Sequence, residues 1–259
     1  MTDVQPAAPP PRRHLVVGTP CYGGMVTHLY MTSIMNLQKE CLIRGIPFQL
    51  ALLGGDALIT RARNTIATQF MENTEATHLL FIDADIGFDA KSVFRLLDFN
   101  VDFCGGMYPV KNIEWSFAKE CVEQGRDIRS GTMNYVVGFE DRTKIEGVGP
   151  FAKAKYLGNG FMLLTRKVFE TLEEKYPELK FRRINANPDP QADSPHRYAF
   201  FECMIDERGF YLPEDYTFCK RWSDAGGDIW VDLESKLTHL GLYNFVGDTT
   251  DLFSSKPAP

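Results

Sequence analysis

Leu79-Leu80-Phe81-Ile82-Asp83-Ala84-Asp85-Ile86-Gly87-Phe88 is an apolar run that ends in two carboxylates. Apolar residues bounded by turn signals read as a strand buried on both faces, the kind found inside an α/β sheet. Side chains two apart on an extended chain point the same way, so this reading sets Asp83 and Asp85 side by side at the strand's C-terminal end. In a parallel α/β sheet that edge is where ligands bind. Two unpaired carboxylates there repel, and one is driven toward protonation unless a cation lies between them. Mg²⁺ or Mn²⁺, held by one or two carboxylates and a substrate's phosphates, answers that need. Asp89, which precedes Ala90-Lys91-Ser92-Val93, reads instead as a helix cap.

Upstream, a helix from about Leu58 to Glu72 carries Arg61, Arg63 and Asn64 near its start, after Gly54-Gly55-Asp56. Arginine offers a planar fork of donors and a helix N-terminus favours anions, so this group suits a diphosphate; the plainer alternative is a solvated helix face. Pro47 to Leu53 reads as a second buried strand, and His28 to Arg44 as a helix stopped by Gly45. His14 to Gly18 reads as the first strand, followed by the loop Thr19-Pro20-Cys21-Tyr22-Gly23-Gly24. Its glycines permit close backbone approach, and Tyr22 is available to stack on a base. The dinucleotide fingerprint G-x-G-x-x-G is absent.

Downstream, Val101 to Tyr108 reads as a strand running into a glycine turn, while Pro109 to Gly149 resists ordering apart from a possible edge strand at Asn134–Phe139. That stretch suits a mobile loop or an insertion. Gly158 and Gly160 bracket Asn159 ahead of an apolar strand, and Arg166 to Lys175 reads as a helix. Pro213-Glu214-Asp215 opens a further helix with Phe218, Cys219 and Trp222 inward and Gly226 past its end. Asp228–Asp232 and Lys236–Gly241 read as short strands.

A chain of 259 residues with 44% hydrophobic content is long enough for a full core. Its net charge of -6 argues against a nucleic-acid surface. No apolar window is long enough to span a membrane, and the Pro-rich residues 1–13 read as a disordered arm without a signal sequence. The six scattered cysteines imply reduced thiols in a cytoplasmic protein, without zinc or disulfides.

The Thr19-Pro20 loop, Ala62-Arg63-Asn64, Phe81-Ile82-Asp83-Ala84-Asp85 and Glu214-Asp215, in that order, resemble glycosyltransferases of the type A fold, especially the family-two-like group. The resemblance implies one α/β domain over residues 14–247 with a mostly parallel central sheet flanked by helices, followed by a tail at 248–259. Residues 14–110 then form a Rossmann-like half that binds the nucleoside diphosphate sugar, and 111–247 the acceptor half. UDP is the favoured carrier, and a glycan or other hydroxyl compound the acceptor. Donor contacts fall on Thr19, Pro20, Tyr22, Asp56, Arg61, Arg63, Asn64, Asp83 and Ala84. Gly158 and Gly160 then lie beneath the donor sugar, although a tight turn also explains them.

The family's metal motif maps onto Asp83 and Asp85, with His239 completing the metal or diphosphate site; a satisfied structural histidine is the alternative. Asp215, beside Glu214, is implied as the base that takes the acceptor's proton, which gives inversion if it stands opposite the leaving group. Acids at a helix start are also electrostatically favoured without any catalytic role. Two rivals are a haloacid-dehalogenase-like phosphatase with Asp83 as nucleophile, and a non-catalytic nucleotide-sugar-binding protein.

Overall fold

The structure is a computed structural model that describes residues 13–182 and 194–243. A central sheet holds β1 (Leu15–Cys21), β2 (Phe48–Gly54), β3 (His78–Ile82), β4 (Phe103–Gly106), β5 (Gly147–Val148), β6 (Phe151–Ala154), β7 (Phe161–Thr165) and β8 (Ile229–Asp232). Their order is β2-β1-β3-β7-β4-β8-β6-β5. All but β7 and β6 run in one direction, which bears out the mostly parallel α/β sheet.

The apolar patterning dictates the layers. In β3, Leu80 and Ile82 face one core and Leu79 and Phe81 the other, so the strand is buried on both faces as read. Helices α1 (His28–Ile43) and α3 (Ala90–Phe99) cover the first face. Helices α2 (Ile59–Glu72), α4 (Arg166–Lys175) and α5 (Glu214–Asp224) cover the second. On that face the Phe81 and Phe201 rings meet edge to face at 5.2 Å, a geometry that adds about 1 kcal/mol to burial alone. Thr27 caps α1 by accepting from Tyr30 N, and Gly45 at φ +65° ends it in a conformation that a Cβ disfavours. Asp89 caps α3, as the sequence predicts.

β7 matters most for the site. Its antiparallel course sets Phe161 opposite Ile82, so the segment before it arrives at the C-terminal edge of β3. There Asp83 N donates to Gly160 O at 3.1 Å. A short ribbon pairs Ile86–Gly87 with Thr238–His239, which brings His239 beside the same edge.

Several expectations need correction. β2 is an edge strand with exposed positions, because nothing pairs with its outer side among the described residues. Thr19 to Cys21 continue β1 instead of forming its loop. The stretch 109–149 is ordered into short pieces: Pro109–Ile113 pairs with Met133–Tyr135, and Val137–Gly138 pairs with Tyr156–Leu157. The six cysteines are free thiols, with Cys203 exposed and the others buried. Among the described residues no helix is long and apolar enough to cross a membrane. The expected arm and tail lie outside the described residues, except for Arg13, whose guanidinium bonds Asp98 and Leu97 O. Residues 244–247 of the expected catalytic unit lie outside them as well.

Candidate active site

β3 stops at Ile82, and Ile86 N closes a turn on Asp83 O at 3.0 Å. Asp83 and Asp85 are therefore not two alternate positions of one extended strand, and they take different partners. Asp83 Oδ1 accepts from Arg63 Nη2 at 2.8 Å. Asp85 pairs with Lys111 through Oδ2, and its Oδ1 lies 3.4 Å from His239 Nε2. The expected push toward protonation is reversed at Asp85: burial raises its pKa, but His239 and Lys111 outweigh that and hold it at about 2. Ala84 contributes its carbonyl to Thr27 N at 2.9 Å.

The three polar residues of α2 do not form one grip, because successive helical positions turn through 100°. Arg61 is forked on Asp56, with Nε 2.8 Å from Oδ2 and Nη2 2.7 Å from Oδ1. Asn64 is buried and spends its amide on the backbone of Phe201, donating to its carbonyl and accepting from its N–H. Arg63 is buried between Asp83 and Glu214, whose Oε1 lies 3.5 Å from its Nε. Burial works against its charge, yet Asp83 and Glu214 raise its pKa overall. Its Nη1 is buried without a hydrogen-bond partner.

α5 delivers the other acid. Pro213 stands at its N-cap and Glu214 and Asp215 fill its first turn, where the unpaired N–H groups favour carboxylates. Asp215 Oδ1 accepts from Tyr216 N at 2.8 Å. Burial first, and the neighbouring Glu214 second, raise the Asp215 carboxyl from 3.8 to about 6. Motifs from both halves of the sequence thus meet around the Arg63 guanidinium.

Tyr108 joins this cluster to the Asp85 group. Its buried hydroxyl accepts from Gly160 N at 3.1 Å, and its ring stands edge-on to His239 at 5.3 Å. Burial and, next, the charge of Asp83 raise its pKa. The space above the two glycines is filled by Tyr108: a Cβ on Gly158 would lie 2.4 Å from its hydroxyl oxygen, and one on Gly160 2.7 Å from Cζ. The small residues therefore admit a tyrosine ring. Between them Asn159 is 1% exposed, and neither end of its amide has a hydrogen-bond partner.

Just past the end of β1, Tyr22 is 70% exposed. The Thr19 hydroxyl lies 2.5 Å from the buried Tyr30 hydroxyl and so turns inward, while Pro20 is half-buried in β1. On the other side a cleft of about 1250 Å³ opens against Lys111 and His239, walled further by Trp115, Tyr135, Lys236 and Leu237.

No family model and no curated protein matches the chain. Solved structures that align with it include A197 from STIV (16% identity, 88% of this chain and 85% of that one, TM-score 0.46). A second is a Drosophila β-1,4-galactosyltransferase 7 variant in complex with manganese, UDP-galactose and xylobiose (8% identity, 95% and 82% covered, TM-score 0.42). A third is a glycosyltransferase involved in glycosylation of the PBCV-1 major capsid (12% identity, 85% and 93% covered, TM-score 0.34).

The likeness is one of chain path.

Whether a divalent cation fits turns on this chain's own side chains. His239 Nδ1 lies 2.8 Å from Pro109 O, so the carbonyl fixes the ring from behind and leaves Nε2 facing Asp85, the usual support for a ligating imidazole. No group of three or more His, Cys, Asp and Glu side chains is placed to hold a metal among the described residues. Asp85 and His239 are two potential ligands facing each other, so an ion held there would have to complete its shell with phosphate oxygens and water. Asp83, tied to Arg63, fits that shell less well. Lys111 and Tyr108 went unnoticed in the sequence, because their partners lie in distant segments and neither belongs to a recognisable motif.

Proposed function

We propose that the chain is a glycosyltransferase that moves a sugar from a nucleoside diphosphate sugar, UDP-linked by preference, to a hydroxyl acceptor with inversion. The single observation that carries this reading is the meeting of Glu214 and Asp83 on the buried Arg63, beside Asp215, whose carboxyl burial pushes up to about 6. Attack on an anomeric carbon requires a base of that kind near neutral pH.

Asp215 takes the acceptor's proton. Arg63, whose Nη1 lacks an acceptor, supplies fixed positive charge beside the acids and a donor for a phosphate or sugar oxygen. Asp85 and His239 would hold Mn²⁺ or Mg²⁺, and the ion when bound neutralises charge on the departing diphosphate. The exposed Tyr22 supports a place for the base, and the cleft beside Lys111 and His239 supports a place for the acceptor.

The test is thermal unfolding with nucleoside diphosphates and their sugars, with and without Mn²⁺, followed by product analysis over an acceptor panel. A donor should raise Tm only together with the metal, and release of nucleoside diphosphate should require an acceptor. Hydrolysis of simple phosphomonoesters would favour a phosphatase instead. Donor binding with neither transfer nor hydrolysis would make the chain a binding protein.

A further inference from the structure

Asp85 is approached from two strands of the far half of the chain. Lys111, on the strand Pro109–Ile113, pairs with Oδ2, and His239 faces Oδ1. The two cationic partners are held differently. His239 is anchored by Pro109 O. Lys111 instead runs along Gly241, where a Cβ would come within 2.7 Å of its Cδ, and its side chain stays 39% exposed on the wall of the cleft. One partner is anchored through its ring nitrogen; the other is a partly exposed stem laid along Gly241.

We propose that Lys111 holds, in the metal-free protein, the place at Asp85 that a divalent cation takes, and that its ammonium passes to the donor's diphosphate when the cation arrives. This rests on the glycosyltransferase reading. A divalent ion and an ammonium repel, so both cannot keep the same carboxylate oxygen. A partly exposed ion pair is weak enough to be displaced. The released ammonium is a compact point charge on a four-carbon stem, suited to a phosphate that binds beside the ion. Lys111 therefore opposes metal binding when no donor is present and favours diphosphate binding once the metal is in place. The two ligands are coupled through it.

Mn²⁺ titration of the donor-free protein, followed by paramagnetic resonance, reads the first effect, and UDP titration at saturating Mn²⁺ reads the second. Lys111→Met should bind Mn²⁺ about three- to tenfold more tightly than the parent, as expected for removal of a weak competing ion pair. It should bind UDP about tenfold more weakly, the loss of one charge-assisted contact. Lys111→Gln repeats the comparison if Lys111→Met fails to fold. Equal or weaker Mn²⁺ binding by the variant overturns the proposal. A parent chain that binds Mn²⁺ neither alone nor with UDP overturns the glycosyltransferase reading as well, so the two failures are distinguishable.

Discussion

Arg63 Nε lies 3.5 Å from Glu214 Oε1, while Nη2 of the same guanidinium donates to Asp83 at 2.8 Å. One buried cation thus joins the acid that follows β3 to the acid that opens α5. Removing it strands carboxylates in a poorly solvated pocket.

Arg63→Met should therefore destabilise the protein by about 3 kcal/mol, the usual result of breaking one side of a buried ion pair. A fall in Tm of roughly 10 °C is expected for a chain of this size. Unchanged melting would mean that the charges are solvated after all.

Asp215, raised to about 6, gives two pH effects of opposite sign. A base must be ionised, so kcat/KM should rise with pH through about 6 and then level. Stability runs the other way. A carboxyl whose folded pKa exceeds its ordinary 3.8 contributes stability that is complete below 3.8 and lost as pH rises through about 6. Asp215→Asn should abolish transfer, keep donor affinity and melt a few degrees higher at neutral pH. Near-normal turnover by this variant would remove Asp215 from the mechanism.

Asp85 behaves as the ordinary case. Burial alone would raise it, but His239 and Lys111 hold it at about 2, so its pairing is intact above 3.8 and is lost as pH falls through about 2. Asp85→Asn and His239→Ala should each weaken Mn²⁺ binding by about tenfold or more with the fold retained, as calorimetric titration and circular dichroism would read. Unaltered metal affinity in both would place the ion elsewhere.

The unpaired Asn159 amide is a stored penalty of about 1–3 kcal/mol for a buried polar group. Asn159→Ala, which removes the amide without adding bulk, should melt no lower than the parent. A lower Tm would show that the amide is already satisfied in solution.

Gly160→Ala should destabilise by about 1–3 kcal/mol, because its methyl meets the Tyr108 ring at 2.7 Å. Pairing it with Tyr108→Ala should make the double variant more stable than the sum of the two effects, measured by urea unfolding. Strict additivity would argue against the contact.

Legibility in the sequence followed locality. α1, α3 and α5 announce themselves through caps, helical spacing and terminal glycines, and the buried run of β3 through its apolar residues. The expected side-by-side placement of Asp83 and Asp85 fails because the period-two rule applies only while the chain stays extended, and the strand ends at Ile82, before either aspartate. Arg63 stood out by type, but its link to Glu214 depends on how α2 and α5 pack on the same sheet face. The stretch after Tyr108 stayed obscure because its strands are short and pair across intervening helices, so neither periodicity nor turn residues mark them.

The chain leaves β4 at Gly106 and re-enters the sheet at Gly147, and between those points it builds much of the cleft's wall. An excursion of this kind can be lengthened, shortened or exchanged without shifting the register of β1, β3, β7 or β4. If the cleft takes the acceptor as proposed, substrate range and scaffold integrity are separately adjustable: chains with other acceptors would keep the Arg63 junction and diverge in residues 112–146.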